Sequence, residues 1–315
     1  MLFLPFKADF PLARLPILTI LVCLICSGVF LKQQSDWGKF ESAVQRFCAV
    51  DRSHIDQMVL QRVDAYAGAR FCGQAMYNIS MSESPDQEIT AIVGQIQPLS
   101  GFNRDDSKRY MERILQDELQ LFQRFVPDDP DSRVAYNTAS WNPIHMLTAS
   151  FAHGDWGHII FNLIFFIAFA AAVEVIAGSL AFAGFIVLGS LIIGVTDSVI
   201  ATLVDDHHWT LGLSGIVMGM IGLFAYLLPQ GRIRCFYWFL ILFGTLSVPG
   251  WLLALWYIGG DIFQLIRHDD HGGINVIAHV TGGIAGYLYG IVFLNKARNR
   301  AAATQREHQR QATTP

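Results

Sequence analysis

A serine and a histidine stand in apolar stretches of this chain, where polar side chains are few. Ser214 lies between glycines in the run Gly212-Leu213-Ser214-Gly215, and His279 lies in the later apolar run 275–283. A serine hydroxyl is a weak nucleophile that needs an adjacent base, and a neutral imidazole supplies one near neutral pH. An ionisable side chain inside a membrane is costly and therefore marks a candidate functional site. The pair predicts nucleophilic hydrolysis inside a membrane, and a core histidine or a proton relay is the alternative for His279.

Two further polar side chains, His158 and Asn162, are predicted to assist the same chemistry. Their i, i+4 spacing places both on one face of a helix. Together with the backbone N–H of Ser214 they would form an oxyanion hole, which usually supplies the largest share of catalysis. The alternative is that both side chains bond to neighbouring helices.

The composition indicates a membrane protein. The 315 residues are 52% hydrophobic and 15% charged, with a mean hydropathy of +0.37. A membrane-spanning helix needs roughly 20 apolar residues. Six segments approach that length and are predicted to span: 15–32, 158–177, 180–202, 213–229, 236–258 and 275–294.

The fourth predicted span is short. From Ser214 to Pro229 it covers about 22 Å, whereas the hydrocarbon core of a bilayer is about 30 Å thick. If Pro229 lies at the cytoplasmic surface, Ser214 lies several ångströms below the outer surface. The preceding loop, 205–210, must then enter the protein, which is tolerated only where protein or a water-filled cavity surrounds it. Hydrolysis needs such a cavity.

Glycines recur at four-residue intervals in the fourth and sixth predicted spans. They are Gly215 and Gly219 in the former, and Gly282, Gly286 and Gly290 in the latter. Small residues on both helices let the backbones approach closely. These glycines are predicted to pack the two helices together, and as a consequence Ser214 and His279 can meet.

Basic residues near the predicted spans give the orientation. With six spans they all fall on one side, which the positive-inside rule assigns to the cytoplasm together with both termini. The residues are Lys7 and Arg14, then Arg232 and Arg234, and finally Lys296, Arg298, Arg300, Arg306 and Arg310.

The spans divide the chain into five predicted regions. These are a cytoplasmic head (1–14), a first transmembrane helix (15–32), an extracytoplasmic insert (33–140), a catalytic core with helices two to six (141–294) and a basic cytoplasmic tail (295–315). The insert has 16 acidic and 11 basic residues, a net charge of about −5.

Inside the insert the apolar spacing predicts a long amphipathic helix over 104–126, a weaker helix over 39–66 and a loop over 80–103. Cys48 and Cys72 both fall in it. On the oxidising side of a membrane these two cysteines either form a disulfide or remain free thiols.

These motifs, taken together and in order, resemble the rhomboid family of intramembrane serine proteases from His145 to about Leu294. The run Leu-Thr-Ala-Ser-Phe-Ala-His at 147–153, followed by His158-x-x-x-Asn162, is similar to the entry of the family's second helix. Gly212-x-Ser214-Gly215 is similar to its nucleophile motif, and His279-x-x-Gly282-x-x-x-Gly286 to its base helix. Glu174 matches an acidic residue at the inner end of the second helix, for which the resemblance implies a structural hydrogen-bonding role.

The six predicted spans together with the resemblance indicate an all-α polytopic membrane protein with a six-helix rhomboid-type core. The apolar spacing predicts a mostly helical insert between helices one and two. The resemblance implies a Ser–His dyad without a third acid, in which Ser214 forms an acyl-enzyme and His279 transfers the protons. Its substrates would be transmembrane segments of other membrane proteins in the lipid bilayer, cut without metal or cofactor. A bacterial inner membrane is the expected location, and the oligomeric state stays open.

The chain also departs from the family pattern. Met218 stands where the family often has a tyrosine four residues after the serine, and the insert is longer than a minimal member needs. Asp197, near the outer end of span three, is interpreted as a solvated helix end, or else as a residue that holds catalytic water. Span five, with a kink expected at Pro249-Gly250 and a mobile loop over 259–273, is predicted to gate lateral entry of substrate.

Three other functions compete with proteolysis. An inactive adaptor that binds transmembrane helices is disfavoured because Ser214 and His279 are both present. A transporter would use Asp197, Glu174 and His279 as a proton path, but no inverted repeat is visible. A metal protein is disfavoured because the histidines (153, 158, 207, 208, 268, 271 and 279) lack metal-ligand spacing. Binding of nucleic acid has no support, because the net charge is −4 and the basic tail is short enough to be a topology signal.

Overall fold

The computed structural model describes residues 2–68, 72–82, 84–239, 242–267 and 275–313. It is mostly helical, as predicted. The helices are α1 (Ile17–Cys48), α2 (His54–Tyr66), α3 (Gln74–Met81), α4 (Pro85–Gln95), α5 (Arg104–Phe125), α6 (Pro143–Thr148), α7 (Trp156–Ala177), α8 (Ser179–Val204), α9 (Ser214–Leu227), α10 (Gly250–Arg267), α11 (Val276–Phe293) and α12 (Asn295–Thr313). The strands are β1 (Leu2–Ala8), β2 (Tyr136–Asn137), β3 (Trp209–Thr210), β4 (Arg232–Phe239) and β5 (Leu242–Pro249).

The chain forms two compact units. One comprises residues 1–32 and 134–315, and the other comprises residues 33–133. Each has its own apolar core, and the two cores share no residue.

Four of the described helices, α1, α7, α8 and α11, are long and apolar enough to cross a membrane. Helices α7, α8 and α11 match the second, third and sixth predicted spans, whereas α1 starts within the first span but continues to Cys48, sixteen residues beyond its predicted end. Local chemistry sets their boundaries. The side chain of Asp155 accepts the N–H of His158 at the start of α7, and Gly178, with φ of 90°, separates α7 from α8.

The short helix α9 lies at the centre of the first unit. Twelve of its 14 residues are buried, including Met218 and both glycines of the predicted packing motif. A helix that is apolar and buried on all sides belongs to a core. The pairing with α11 is as close as the glycines predict, because a methyl added at Gly282 would overlap the carbonyl oxygen of Gly215, and one at Gly286 would overlap that of Gly219.

The fifth predicted span, 236–258, is wrong. Two antiparallel strands, β4 and β5, occupy most of its first half, and helix begins only at Gly250. Burial along β4 alternates: Arg232 and Arg234 are exposed, whereas Ile233 and Cys235 are fully buried. This is the period of a strand. The expected kink at Pro249-Gly250 is therefore the junction of a strand and a helix, since proline lacks the N–H that a helix interior requires.

The N-terminal strand β1 completes a three-stranded sheet in the order β1-β4-β5. Lys7 pairs in register with Arg234, and Asp9 accepts a hydrogen bond from Arg234 Nε at 2.9 Å. The expectation of an all-α protein is thus wrong for these segments. The predicted mobile loop over 259–273 is also wrong where it is described, since α10 extends to Arg267, and its remainder, 268–273, lies outside the described residues.

The second unit is built around α5, which confirms the predicted amphipathic helix over 104–126. Arg52 and Glu118 form a two-pronged ion pair at 2.9 and 3.0 Å, and a disulfide joins Cys48 to Cys72. The predicted loop over 80–103 is wrong in part because α4 lies within it. Pro85 begins that helix, and its apolar residues at helical spacing, Ile89, Ile92 and Val93, are buried.

Candidate active site

Ser214 is placed by an unusual backbone in front of α9. Gly212 has φ of 128°, and its N–H donates to the carbonyl oxygen of Ala149 at 2.9 Å. A Cβ at Gly212 would lie 2.7 Å from His158 Nε2. Glycine is needed there for both its conformation and its size. The imidazole of His158 therefore lies directly against the loop that presents Ser214.

His279 is placed by the first turn of α11. Asn275 caps this helix by accepting the N–H of Ala278 at 2.9 Å. A Cβ on Gly215, the residue after the serine, would lie 3.2 Å from the carbonyl oxygen of Ala278, the residue before the histidine. The close packing of α9 and α11 thus brings the two predicted catalytic residues to adjoining helix starts.

All four predicted site residues, Ser214, His279, His158 and Asn162, line one cavity of about 1180 Å³. No hydrogen bond joins the Ser214 and His279 side chains in the described part of the chain. Catalytic hydrogen bonds are often long in the absence of substrate and tighten when it binds. The structure therefore places the serine and histidine in one chamber without a direct contact.

The side-chain amide of Asn162 can donate a hydrogen bond to an oxygen atom in the cavity. Its side chain is buried, and its Nδ2 has no hydrogen-bond partner among the described residues. A buried donor without a partner is energetically costly. The position of this donor beside a cavity is consistent with a hydrogen bond to a bound ligand. His158 lies one turn away on α7, and its ring packs edge-to-face on His153, with centroids 5.2 Å apart. Burial lowers the pKa of His153 to about 4, so this neighbour is neutral at pH 7.

A carboxylate that sequence reasoning missed lies beside the histidine. Oδ2 of Asp261, on α10, is 3.0 Å from Nδ1 of His279, and these side chains are only 14% and 16% exposed. Asp261 falls in the segment that was interpreted as a mobile loop. No motif in the sequence joins it to His279, because the contact depends on how α10 packs against α11.

Asp197 is not a solvated helix end. It is fully buried, its Oδ2 accepts from Asn275 Nδ2 at 2.8 Å, and its Oδ1 lies 3.5 Å from Nε2 of His208. The Asp197 carboxylate raises the pKa of His208 because it stabilises the imidazolium. Since Asn275 also caps α11, this network holds the start of the helix that carries His279.

Glu174 has the structural role that was predicted for it. Its buried carboxylate accepts the N–H groups of Leu18 and Thr19 at 3.0 and 2.7 Å, and the Thr19 hydroxyl at 2.8 Å. Met218, one turn after Ser214 on α9, is buried and lines the same cavity.

The alternative of a metal protein depends on how the histidines and acidic residues are arranged. In the described ranges no group of three His, Cys, Asp or Glu side chains is arranged to hold a metal ion. His268 and His271 lie outside the described residues.

Comparison with protein families identifies the membrane core. The family model for the rhomboid domain matches residues 140–296, which include all four predicted site residues. No curated protein and no solved structure matches the chain.

Proposed function

The chain belongs to the rhomboid family and is an integral membrane protein, and we propose that it is an intramembrane serine endopeptidase that cleaves transmembrane segments of other membrane proteins. One observation carries the proposal. Ser214 and His279, at the starts of two helices packed through their glycines, open onto a single cavity that His158 and Asn162 also line.

In this proposal Ser214 is the nucleophile and His279 is the general base. The histidine takes the serine proton as Oγ attacks the scissile carbonyl carbon, and it gives that proton to the leaving amine as the peptide bond breaks. A water molecule, deprotonated by the same histidine, then hydrolyses the acyl-enzyme and regenerates Ser214.

In this proposal three donors stabilise the oxyanion of each tetrahedral intermediate. These are the unpartnered Asn162 Nδ2, the imidazole of His158 and the backbone N–H of Ser214. Donors that are fixed before the reaction need no reorganisation as the negative charge develops. The proposal requires no metal or cofactor.

The proposed membrane arrangement has six spans: α1, α7, α8, α9, α10 and α11. Helix α10 replaces the span first predicted at 236–258. With 14 residues, α9 covers about 21 Å, so its N-terminal serine lies below one membrane surface while its other end reaches the opposite side. The register of β1 with β4 supports the proposed cytoplasmic side, because it brings Lys7 next to Arg234.

The five regions of the chain are proposed with the boundaries predicted from the sequence. The head (1–14) and the basic tail (295–315) are cytoplasmic, the insert (33–140) is extracytoplasmic, and the core (141–294) is catalytic. The Cys48–Cys72 disulfide supports an oxidising location for the insert. A bacterial inner membrane fits this arrangement, with both termini in the cytoplasm.

A fluorophosphonate probe tests the proposal without knowledge of the substrate. The purified, detergent-solubilised protein is treated beside Ser214→Ala, His279→Ala and, as the matched control, Ser27→Ala. Ser27 lies on α1, and within the described ranges its hydroxyl donates to the carbonyl oxygen of Cys23 alone. We expect labelling of the wild type and the control, none of Ser214→Ala, and a rate at least about 100-fold lower in His279→Ala.

The competing function is that of an inactive adaptor that binds transmembrane helices. It predicts a folded wild type that the probe does not label at any pH between 6 and 9. That result would refute the endopeptidase, provided that the protein elutes as a single species and unfolds cooperatively on heating.

A further inference from the structure

The carboxylate of Asp261 has no part in the catalytic roles given above. We propose that Asp261 is a positioning residue for His279: it holds the imidazole in the orientation and tautomer that leave Nε2 free to act as the base. This inference rests on the proposed function. It extends the expected Ser–His dyad with an acid that comes from a third helix.

Helix α10 directs Asp261 toward the site. Tyr257, Asp261 and Leu265 follow one another at four-residue intervals, and all three line the cavity that contains Ser214 and His279. Residues at this spacing share one face of a helix. Tyr257 also packs its ring edge-to-face on Phe165 of α7, with centroids 5.3 Å apart. The face that bears Asp261 therefore contacts α7 through Tyr257 and α11 through Asp261 itself.

The contact determines which nitrogen of His279 carries the proton. An ionised carboxylate only accepts hydrogen bonds, so at 3.0 Å from Asp261 Oδ2 the histidine Nδ1 must be the donor. In neutral imidazole the other nitrogen, Nε2, then has the free lone pair. That lone pair is what a general base needs to accept the proton of Ser214.

The same contact stabilises the histidine after it has taken the proton. His279 and Asp261 are mostly buried, so water screens the attraction between the imidazolium and the carboxylate only weakly. Met218 has no hydrogen-bond donor, and its thioether is only a weak acceptor, so it orients the ring less firmly than a carboxylate does. The hydrogen bond to Asp261 is the one that the structure shows for the His279 ring among the described residues.

Other titratable groups line the same cavity, and none of them is hydrogen-bonded to the His279 ring among the described residues. They are Tyr136 on β2, Asp155 and His158 at the start of α7, Asp197 on α8, Asp206 and His208 in the loop before α9, and Tyr257 on α10. Asp197 reaches α11 through Asn275 and does not contact the His279 ring. Asp261 is accordingly the carboxylate whose removal changes His279 directly.

Two substitutions test the inference in the full-length protein. Asp261→Asn keeps the size of the side chain but can donate to Nδ1, which favours the tautomer with the proton on Nε2. Asp261→Glu keeps the acceptor. Gln264→Ala, one turn further along α10, is the control because Gln264 does not line the cavity.

We expect the maximal rate constant of fluorophosphonate labelling to fall at least about 100-fold in Asp261→Asn. The probe concentration that gives half of that rate should stay within about twofold, because Asp261 does not bind the probe. Asp261→Glu should recover part of the rate. A merely structural role would alter thermal stability and both kinetic parameters together, and it would not distinguish Asn from Glu.

The histidine tautomer gives a readout that does not depend on activity. In protein with ¹⁵N-labelled histidine, His279 should carry its proton on Nδ1 in the wild type and on Nε2 in Asp261→Asn, with His279→Ala assigning the signals. Unchanged labelling or an unchanged tautomer in a folded Asp261→Asn protein would overturn the inference. If the wild type is not labelled, the proposed function fails, and the tautomer alone decides whether Asp261 positions His279.

Discussion

At the scale of single residues, a carboxylate buried in apolar surroundings is tolerated only when donors surround it. Glu174 satisfies this condition in an unusual way. The two N–H groups that it accepts, those of Leu18 and Thr19, belong to the first turn of α1, where a helix has no internal acceptors. The end of α7 thus caps the start of α1, and the negative charge faces the positive end of that helix dipole.

We expect Glu174→Ala to lower the free energy of unfolding by about 2 to 4 kcal/mol, because it leaves buried donors at the start of α1 without an acceptor. Ser179→Ala is the control, since Ser179 donates only a longer bond of 3.3 Å to the same carboxylate. Thermal unfolding in detergent measures both variants. Equal midpoints for Glu174→Ala and the wild type would show that α1 does not depend on this cap.

At the scale of elements, the site exists because α9 and α11 approach each other through glycine backbones. Without a hydrophobic driving force between helices in lipid, such close packing supplies much of the attraction. It also sets the separation of Ser214 and His279, since each stands in the first turn of its helix. Packing and catalysis are therefore coupled in this pair.

Gly282→Ala tests the coupling, because the added methyl would overlap the carbonyl oxygen of Gly215. We expect a loss of about 1 to 3 kcal/mol in stability and at least a tenfold slower labelling of Ser214, as α11 moves away from α9. The matched control is Gly28→Ala on α1, where nothing lies within 4 Å of the new atom. The coupling would be contradicted by full labelling in a destabilised Gly282→Ala protein.

At the scale of the whole molecule, the chain combines two units with separate cores. The unit over 33–133 is small, and the disulfide between Cys48 and Cys72 supports it by closing a loop with a sequence separation of 24. In the chain-entropy account, such a closure stabilises a fold by about 3 kcal/mol.

Replacing both Cys48 and Cys72 by serine should therefore destabilise residues 33–133 by about 3 kcal/mol and leave the probe reaction at Ser214 unchanged. Hydrogen exchange of the full-length protein, resolved by region, measures the first effect, and Cys23→Ala serves as the control for loss of a thiol. A parallel loss of labelling in the double variant would show that the active site depends on this unit.

The residues and their spacing were sufficient to predict the helices and contacts that depend on local pattern. These include the amphipathic helix α5, the apolar helices α1, α7, α8 and α11, the close approach of α9 to α11, and the hydrogen-bonding role of Glu174. The helices and the close approach follow from a periodicity or from residue types a few positions apart, whereas the role of Glu174 was implied by the resemblance to the rhomboid family. The four candidate site residues also came from such motifs, and the cavity that they share is consistent with the roles proposed for them.

Only the tertiary structure decided the rest. An apolar run such as 236–258 is compatible with either a strand or a helix. Its first part forms a strand that pairs with β1, which is distant in sequence, so no local pattern could reveal the pairing. The sequence around Asp197 is typical of a solvated helix end, whereas in the structure Asn275 and His208 lie against its carboxylate. Asp261 and His279 lie on different helices, and their contact depends on the packing of α10 against α11. Sequence sets which groups are available, and packing sets which of them meet.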